Sequence, residues 1–177
     1  MKHHCIFLSA GHSNTDPGAV ANGLKEADVA VEFRNMVAHY LRDMGIPHAA
    51  DGGGKTNLPL GRAAKLAAAY AIAVEFHCNA AANPAATGAE VLSGTTAFTL
   101  ADKLSTAIAS ALGIRNRGAK PENAGQHSRL AFVRAGGLIV ELFFLTNPED
   151  VATYAQRKWL AAKAVAKVLA EELQRLP

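Results

Sequence analysis

Four residues have the types to do chemistry together: His12, Glu26, His77 and Glu141, separated by 14, 51 and 64 positions. Two imidazoles and one carboxylate are a recurrent three-ligand set for zinc that leaves a fourth position for water. Zinc held in this way lowers the pKa of water to about 7 and polarises a carbonyl oxygen. Glu141 stands inside an apolar run, with Leu138, Ile139 and Val140 before it and Leu142, Phe143, Phe144 and Leu145 after it. Ionising a carboxylate there calls for a nearby cation, and desolvation raises its pKa toward the range of a general base that then acts as an acid. Each residue also has a plain structural reading. A strand-end histidine is commonly hydrogen-bonded, Glu26 suits the first turn of a helix, and Glu141 could pair with Arg62 or Arg117. The separations form no local motif, so secondary-structure elements have to bring the four together.

Those elements alternate. Residues 5–9 form an apolar run that ends just before His12, as a buried strand does. From Glu26 onward, Val29, Phe33, Met36, Val37, Tyr40, Leu41 and Met44 recur at helical spacing until Gly45. Strands are predicted at 46–50, 71–77, 89–93, 130–134 and 138–143. Helices are predicted from Pro59 to about 69, over 96–112, and over 156–176 with Leu160, Val165, Leu169 and Leu173 inward. Residues 115–128 show neither period and are expected to form a loop. The pattern predicts a three-layer α/β domain, a largely parallel or mixed central sheet with helices on both faces. In such sheets ligands bind beyond the carboxyl ends of the strands. His12, His77 and Glu141 lie at or near such ends, and Glu26 opens the first helix.

Composition bounds the rest. The chain has 177 residues, half of them hydrophobic and 19% charged, enough for one domain spanning 1–177. The longest apolar stretches fall far short of the roughly 20 residues that cross a bilayer, so no integral membrane contact is expected. The apolar run at the amino terminus is too short for a signal-peptide core, which points to synthesis in the cytoplasm. Cys5 and Cys78 lie in apolar runs and read as buried thiols. A net charge of +3 is too small to indicate nucleic acid. Residues 51–56, Asp-Gly-Gly-Gly-Lys-Thr, look superficially like a phosphate-binding loop, but that motif requires glycine at position 49, which is alanine.

Five segments carry a family resemblance: LSAGHSNTDPGAVANGLKEAD (8–28), LPLGRAAKLA (58–67), VEFHCNAAANPAATGAEVL (74–92), GIRNRGAK (113–120) and GGLIVELFFLTNPED (136–150). In this order and spacing the chain resembles the zinc-dependent N-acetylmuramoyl-L-alanine amidases of bacterial cell-separation enzymes and phage endolysins. The resemblance implies one zinc ion held by His12, Glu26 and His77, with Glu141 as the catalytic carboxylate. It further implies peptidoglycan as substrate, cut between the lactyl group of N-acetylmuramic acid and L-alanine of the stem peptide. A monomer that reaches the wall after release, as endolysins do, is expected. A zinc peptidase cutting within the stem peptide would use the same groups, and a nucleotide-binding module is the more distant alternative.

The match departs from the family pattern in two places. The usual Asp-Pro-Gly-His is Ser9-Ala10-Gly11-His12 here, and the usual Ser-Ile-His is Glu75-Phe76-His77. Strand alternation puts Glu75 on the face of His77, where it could orient that ring, while Cys78 points the other way. Asn79 is expected to shape the pocket. Arg117, with Arg115, Lys120, Arg129 and Arg134, is expected to offer guanidinium groups to stem-peptide carboxylates. With the chain fully used by one domain, recognition of the polymer is expected from that domain's own surface.

Overall fold

Along the first strand, Ile6 and Leu8 enter one core and Phe7 another. A strand buried on both faces belongs in the interior of a sheet with helices on each side. The computed structural model, which describes residues 2–13, 15–54, 56–124 and 130–177, has that form. In chain order it runs β1 (His3–Ala10), β2 (Val20–Ala21), β3 (Leu24–Lys25), α1 (Glu26–Asp43), β4 (His48–Ala50), α2 (Leu60–Ala67) and β5 (Tyr70–Asn79). There follow β6 (Ala89–Ser93), α3 (Phe98–Leu112), β7 (Asn116–Pro121), α4 (Ala131–Arg134), β8 (Leu138–Phe144) and α5 (Pro148–Arg175). The main sheet has the order β4-β1-β5-β8-β6-β7; every neighbouring pair is parallel except β6 with β8. The mixed sheet and its two helical layers match the sequence expectation. Among the described residues no helix is long and apolar enough to cross a membrane.

The two faces are covered unequally, and this creates the site. Helices α1, α3 and α5 pack on the face of Ile6, Leu8, Val74, Phe76, Cys78 and Val140. Among the described residues the other face carries only the helices α2 and α4, of eight and four residues, over Phe7, Ala73, Leu92 and Ile139. Side chains on that second face at the carboxyl ends of β5 and β8, and at the amino end of the antiparallel β6, therefore open onto a cleft. Strand alternation puts Glu75, His77, Glu90 and Glu141 there.

Several local expectations are corrected. Residues 130–134 form the helix α4, not a strand. Phe132 and Val133 are adjacent and both buried in the same small core, which helix geometry permits and strand alternation forbids. Part of the predicted loop 115–128 is the edge strand β7, which has mainly polar and half-exposed residues because only one side pairs, with β6. Arg129 and His127 lie outside the described residues. Helix α5 starts eight residues earlier than predicted. Asn147 caps it, its side chain accepting from the backbone N–H groups of Glu149 (2.8 Å) and Asp150 (3.1 Å), and Pro148 takes the first helical position. Leu160 is exposed, not inward, and Cys5 is half-buried.

Arg34 departs most from the sequence pattern, being wholly buried on the core side of α1. Its Nη1 donates to Asp51, also buried, and to the Thr56 carbonyl at 2.9 Å. The turn Asp51–Gly54, part of the phosphate-loop lookalike, thus anchors an internal ion pair.

Candidate metal centre

His12, Glu26 and His77 arrive from three elements and meet at one carboxylate oxygen. His12 Nε2 and His77 Nδ1 each lie 3.0 Å from Glu26 Oε1. Two donors each roughly 2.1 Å from a tetrahedral zinc ion are roughly 3.4 Å apart, so this spacing suits a metal. One ligand atom from each residue can be chosen with all three within 4.8 Å, making this a group that could hold a metal ion.

The backbone explains how the three meet. Gly11 follows β1 directly, and a Cβ there would stand 2.2 Å from His77 Cε1, so only glycine lets the ring approach. His12 adopts a left-handed φ of 63°, a strained conformation for a side-chain-bearing residue that carries the chain sharply away from the strand. A Cβ at Gly18, φ 65°, would come within 2.6 Å of both Glu26 Oε2 and His12 Cδ2. Glu26 is the first residue of α1, and the hairpin β2–β3 delivers it there. The Asn22-Gly23 turn, with both φ values positive, is the dipeptide favoured in two-residue hairpins. The Ala19 N–H then donates to Glu26 Oε2 at 3.0 Å, and the Cys78 N–H to Oε1 at 3.0 Å.

Each imidazole has a carboxylate on its outer nitrogen. His12 Nδ1 lies 3.3 Å from Asp16 Oδ2, and His77 Nε2 lies 3.1 Å from Glu75 Oε1. Metal-bound histidines are commonly oriented by such partners. Burial alone would raise the Glu26 carboxyl, yet the bonds with His12 and His77 hold it far below the usual range. Burial pulls the His77 ring down, but Glu26 and Glu75 more than offset this and carry it well above its ordinary value. The bond to Glu26 likewise raises His12.

Glu141 is the register partner of His77 on one side and of Glu90 on the other. Its Oε2 is enclosed and has no hydrogen-bond partner among the described residues. Burial above all, with Glu26 and Glu90 adding and the imidazoles opposing, raises its carboxyl to about 7. A carboxyl raised in the fold contributes stability that is complete below its ordinary value and lost as pH rises through about 7. The metal-free Glu141→Gln protein is therefore expected to lie within about 1 kcal/mol of wild type at pH 5 and to be roughly 3 kcal/mol more stable at pH 8. Urea unfolding in chelator at the two pH values measures this; equal stabilities at pH 8 would contradict the raised carboxyl.

His12, Glu26, His77, Asn79, Glu90 and Glu141 all line one cleft of about 810 Å³. Its far wall is apolar, with Leu58, Pro59 and Leu60 before and at the start of α2, and Phe132 of α4. Arg117 is not among the lining residues: its Nε donates to Glu90 Oε2 at 2.7 Å and its guanidinium sits 5.0 Å from the centre of the Phe144 ring. Glu90 in turn accepts from Asn79 Nδ2 at 2.8 Å. Arg117 is thus taken by Glu90, and neither Arg62 nor Arg117 forms an ion pair with Glu141 among the described residues. Asp16, Glu90 and the Asn22-Gly23 hairpin were not singled out from sequence, although the Asn-Gly pair is a readable hairpin signal.

A three-layer α/β domain with a His-Glu-His group able to hold a metal and a buried carboxylate in one cleft has the makings of a metal-dependent hydrolase. Comparison with known proteins narrows the class. The N-acetylmuramoyl-L-alanine amidase family matches residues 6–171, and the chain belongs to that family. It is 48% identical to a Neisseria meningitidis protein assigned as an N-acetylmuramoyl-L-alanine amidase, whose crystal structure superposes with a TM-score of 0.89 over 96% of each chain. The catalytic domain of CwlV, an N-acetylmuramoyl-L-alanine amidase from Bacillus (Paenibacillus) polymyxa, shares the fold with a TM-score of 0.83 at 22% identity, over 98% of this chain and 99% of that one. N-acetylmuramoyl-L-alanine amidase LytC of Bacillus subtilis is 29% identical over 169 residues, 90% of this chain. The chain spans 34% of the length of LytC.

Proposed function

We infer that this chain hydrolyses the amide between the lactyl group of N-acetylmuramic acid and the L-alanine of the peptidoglycan stem peptide. In this reading His12, Glu26 and His77 hold one zinc ion and Glu141 moves the proton. One observation carries it: in a chain of this family, a metal-competent triad shares one cleft with a buried carboxylate whose Oε2 has no hydrogen-bond partner among the described residues. The donor set fits zinc, since it offers two imidazole nitrogens and one carboxylate oxygen, with a carboxylate behind each imidazole. When bound, zinc supplies a Lewis acid that polarises a carbonyl oxygen and makes water acidic near neutral pH.

The protein's own groups do the rest. Glu141 accepts a proton from the attacking water and returns it to the departing amine of L-alanine, so the lactyl group leaves as a carboxylate and the stem peptide as an amine. A carboxyl near 7 is suited to both transfers. Glu26 shares one oxygen between the two imidazoles and holds them together. Glu75 and Asp16 fix the outer nitrogens of His77 and His12. Asn79 has its Nδ2 engaged by Glu90, so its Oδ1 is the atom able to accept a substrate N–H. Arg117, anchored by Glu90 through Nε, retains N–H groups suited to stem-peptide carboxylates. One chain supplies every group, which supports a monomeric catalytic unit acting at the cell wall.

Removing metal tests the reading. Stripping the protein with a chelator is expected to abolish release of stem peptides from purified peptidoglycan, and adding zinc to restore it. Undiminished release in chelator would contradict the metal role.

A further inference from the structure

A file of buried polar groups runs from the His77 ring into the sheet. His77 Nε2 lies 3.1 Å from Glu75 Oε1. The Ser9 hydroxyl lies between two carboxylates, 3.0 Å from Glu75 Oε2 and 3.1 Å from Asp51 Oδ2, with its one proton shared between them. Arg34 closes the file by donating to Asp51 Oδ1, and the backbone N–H of Leu58 donates to Asp51 Oδ2 at 3.1 Å. Glu75 is 3% exposed, Asp51 2%, and Ser9 and Arg34 not at all. Burying two carboxylates and a guanidinium carries a desolvation cost that apolar side chains of similar size would avoid, so packing alone does not account for the file. Ser9 and Glu75 are also register partners on β1 and β5, and they occupy two of the four motif positions at which the sequence departs from the family pattern.

We propose that Ser9, Asp51 and Arg34 are positioning residues that lock the Glu75 carboxylate against His77 Nε2, so that Nδ1 stays turned toward Glu26 and the metal centre is assembled in advance. This rests on the reading of His12, Glu26 and His77 as metal ligands. Glu75 is held at both oxygens, one by the ring and one by Ser9, so its carboxylate plane is fixed. A fixed partner at one imidazole nitrogen decides which nitrogen carries the proton and which is left for a metal. Arg34 and the Leu58 N–H also donate to Asp51, so that the Ser9 proton is left to serve Glu75 Oε2. The effect reaches the metal through His77 alone, since Ser9, Asp51 and Arg34 do not themselves touch the cleft's ligands.

Zinc affinity, measured by competition with a chromophoric chelator, and the visible absorption of the cobalt-substituted protein test this without any turnover. Glu75→Ala is expected to weaken zinc binding roughly 10- to 100-fold and to shift the cobalt bands. Ser9→Ala should move both readouts in the same direction by a smaller factor. Glu75→Gln, which keeps an acceptor for the ring and a partner for Ser9, should recover part of the loss. Wild-type affinity and spectrum in Ser9→Ala overturn the relay even if Glu75→Ala is impaired. Should Ser9→Ala fail to fold, Ser9→Cys, of similar size with a weaker donor, gives the same reading with the same two outcomes. A wild-type chain that binds neither zinc nor cobalt overturns the metal centre itself, and the relay with it.

Discussion

Replacing Glu141 with glutamine is expected to lower the turnover of peptidoglycan by about a thousandfold or more while leaving the metal content unchanged. Acid–base catalysis by a positioned group contributes about 10²- to 10⁴-fold, and here one carboxyl serves both the attack and the departure of the amine. A thousandfold loss corresponds to about 4 kcal/mol of barrier. Glutamine matches glutamate in size and fits the strand β8, but it neither takes nor gives the proton. Glu141→Asp keeps the carboxyl and withdraws it by one methylene, which should cost roughly a hundredfold. Metal content of the purified variants separates this from a ligand effect: Glu141 is a strand neighbour of His77 and is not in the metal-competent triad. Unchanged turnover in Glu141→Gln would remove Glu141 from the mechanism.

His77→Ala is expected to have the opposite signature, loss of metal together with loss of activity. The imidazole occupies a narrow place, packed against Gly11 with a nitrogen on each of two carboxylates. Without the ring, Glu26 and Glu75 lose the group that both of them bond, and two of the three proposed ligands remain. Zinc measured by mass spectrometry should fall from one per chain to background, and activity should fall with it to the level of chelator-treated wild type. A His77→Ala protein that keeps a full zinc complement would place the metal elsewhere.

What could be read in the sequence and what could not follow from the range of the interactions. His12 and His77 announce themselves because each ends an apolar run, and Glu26 because it starts a periodic one. The apolar strands of the sheet centre were legible for the same reason: burial on both faces leaves an unbroken hydrophobic run. The edge strand β7 lacks that signal, with Gly118, Lys120 and Pro121 among its six residues. The short helix α4 is too brief for its period to show, and five apolar-rich residues read equally well as strand. Arg34 was hidden by its neighbours. It lies one position from Phe33 on a face of valines and leucines, and its partner Asp51 is 17 residues away in a turn that imitates a nucleotide loop. Glu90 and Asp16 became visible as site residues only when register and hairpin geometry placed them beside Glu141 and His12. Glu75 was half legible: strand alternation put it on the side of His77, while its tie through Ser9 to Asp51 depends on a neighbouring strand.

Mass spectrometry of purified peptidoglycan digested by the zinc-loaded chain tests the central claim most directly. The account predicts muramic acid residues with free lactyl carboxylates, together with intact stem peptides that begin at L-alanine with a free amine. Shortened peptides still attached to the sugar would contradict it and identify a peptidase built on the same metal centre.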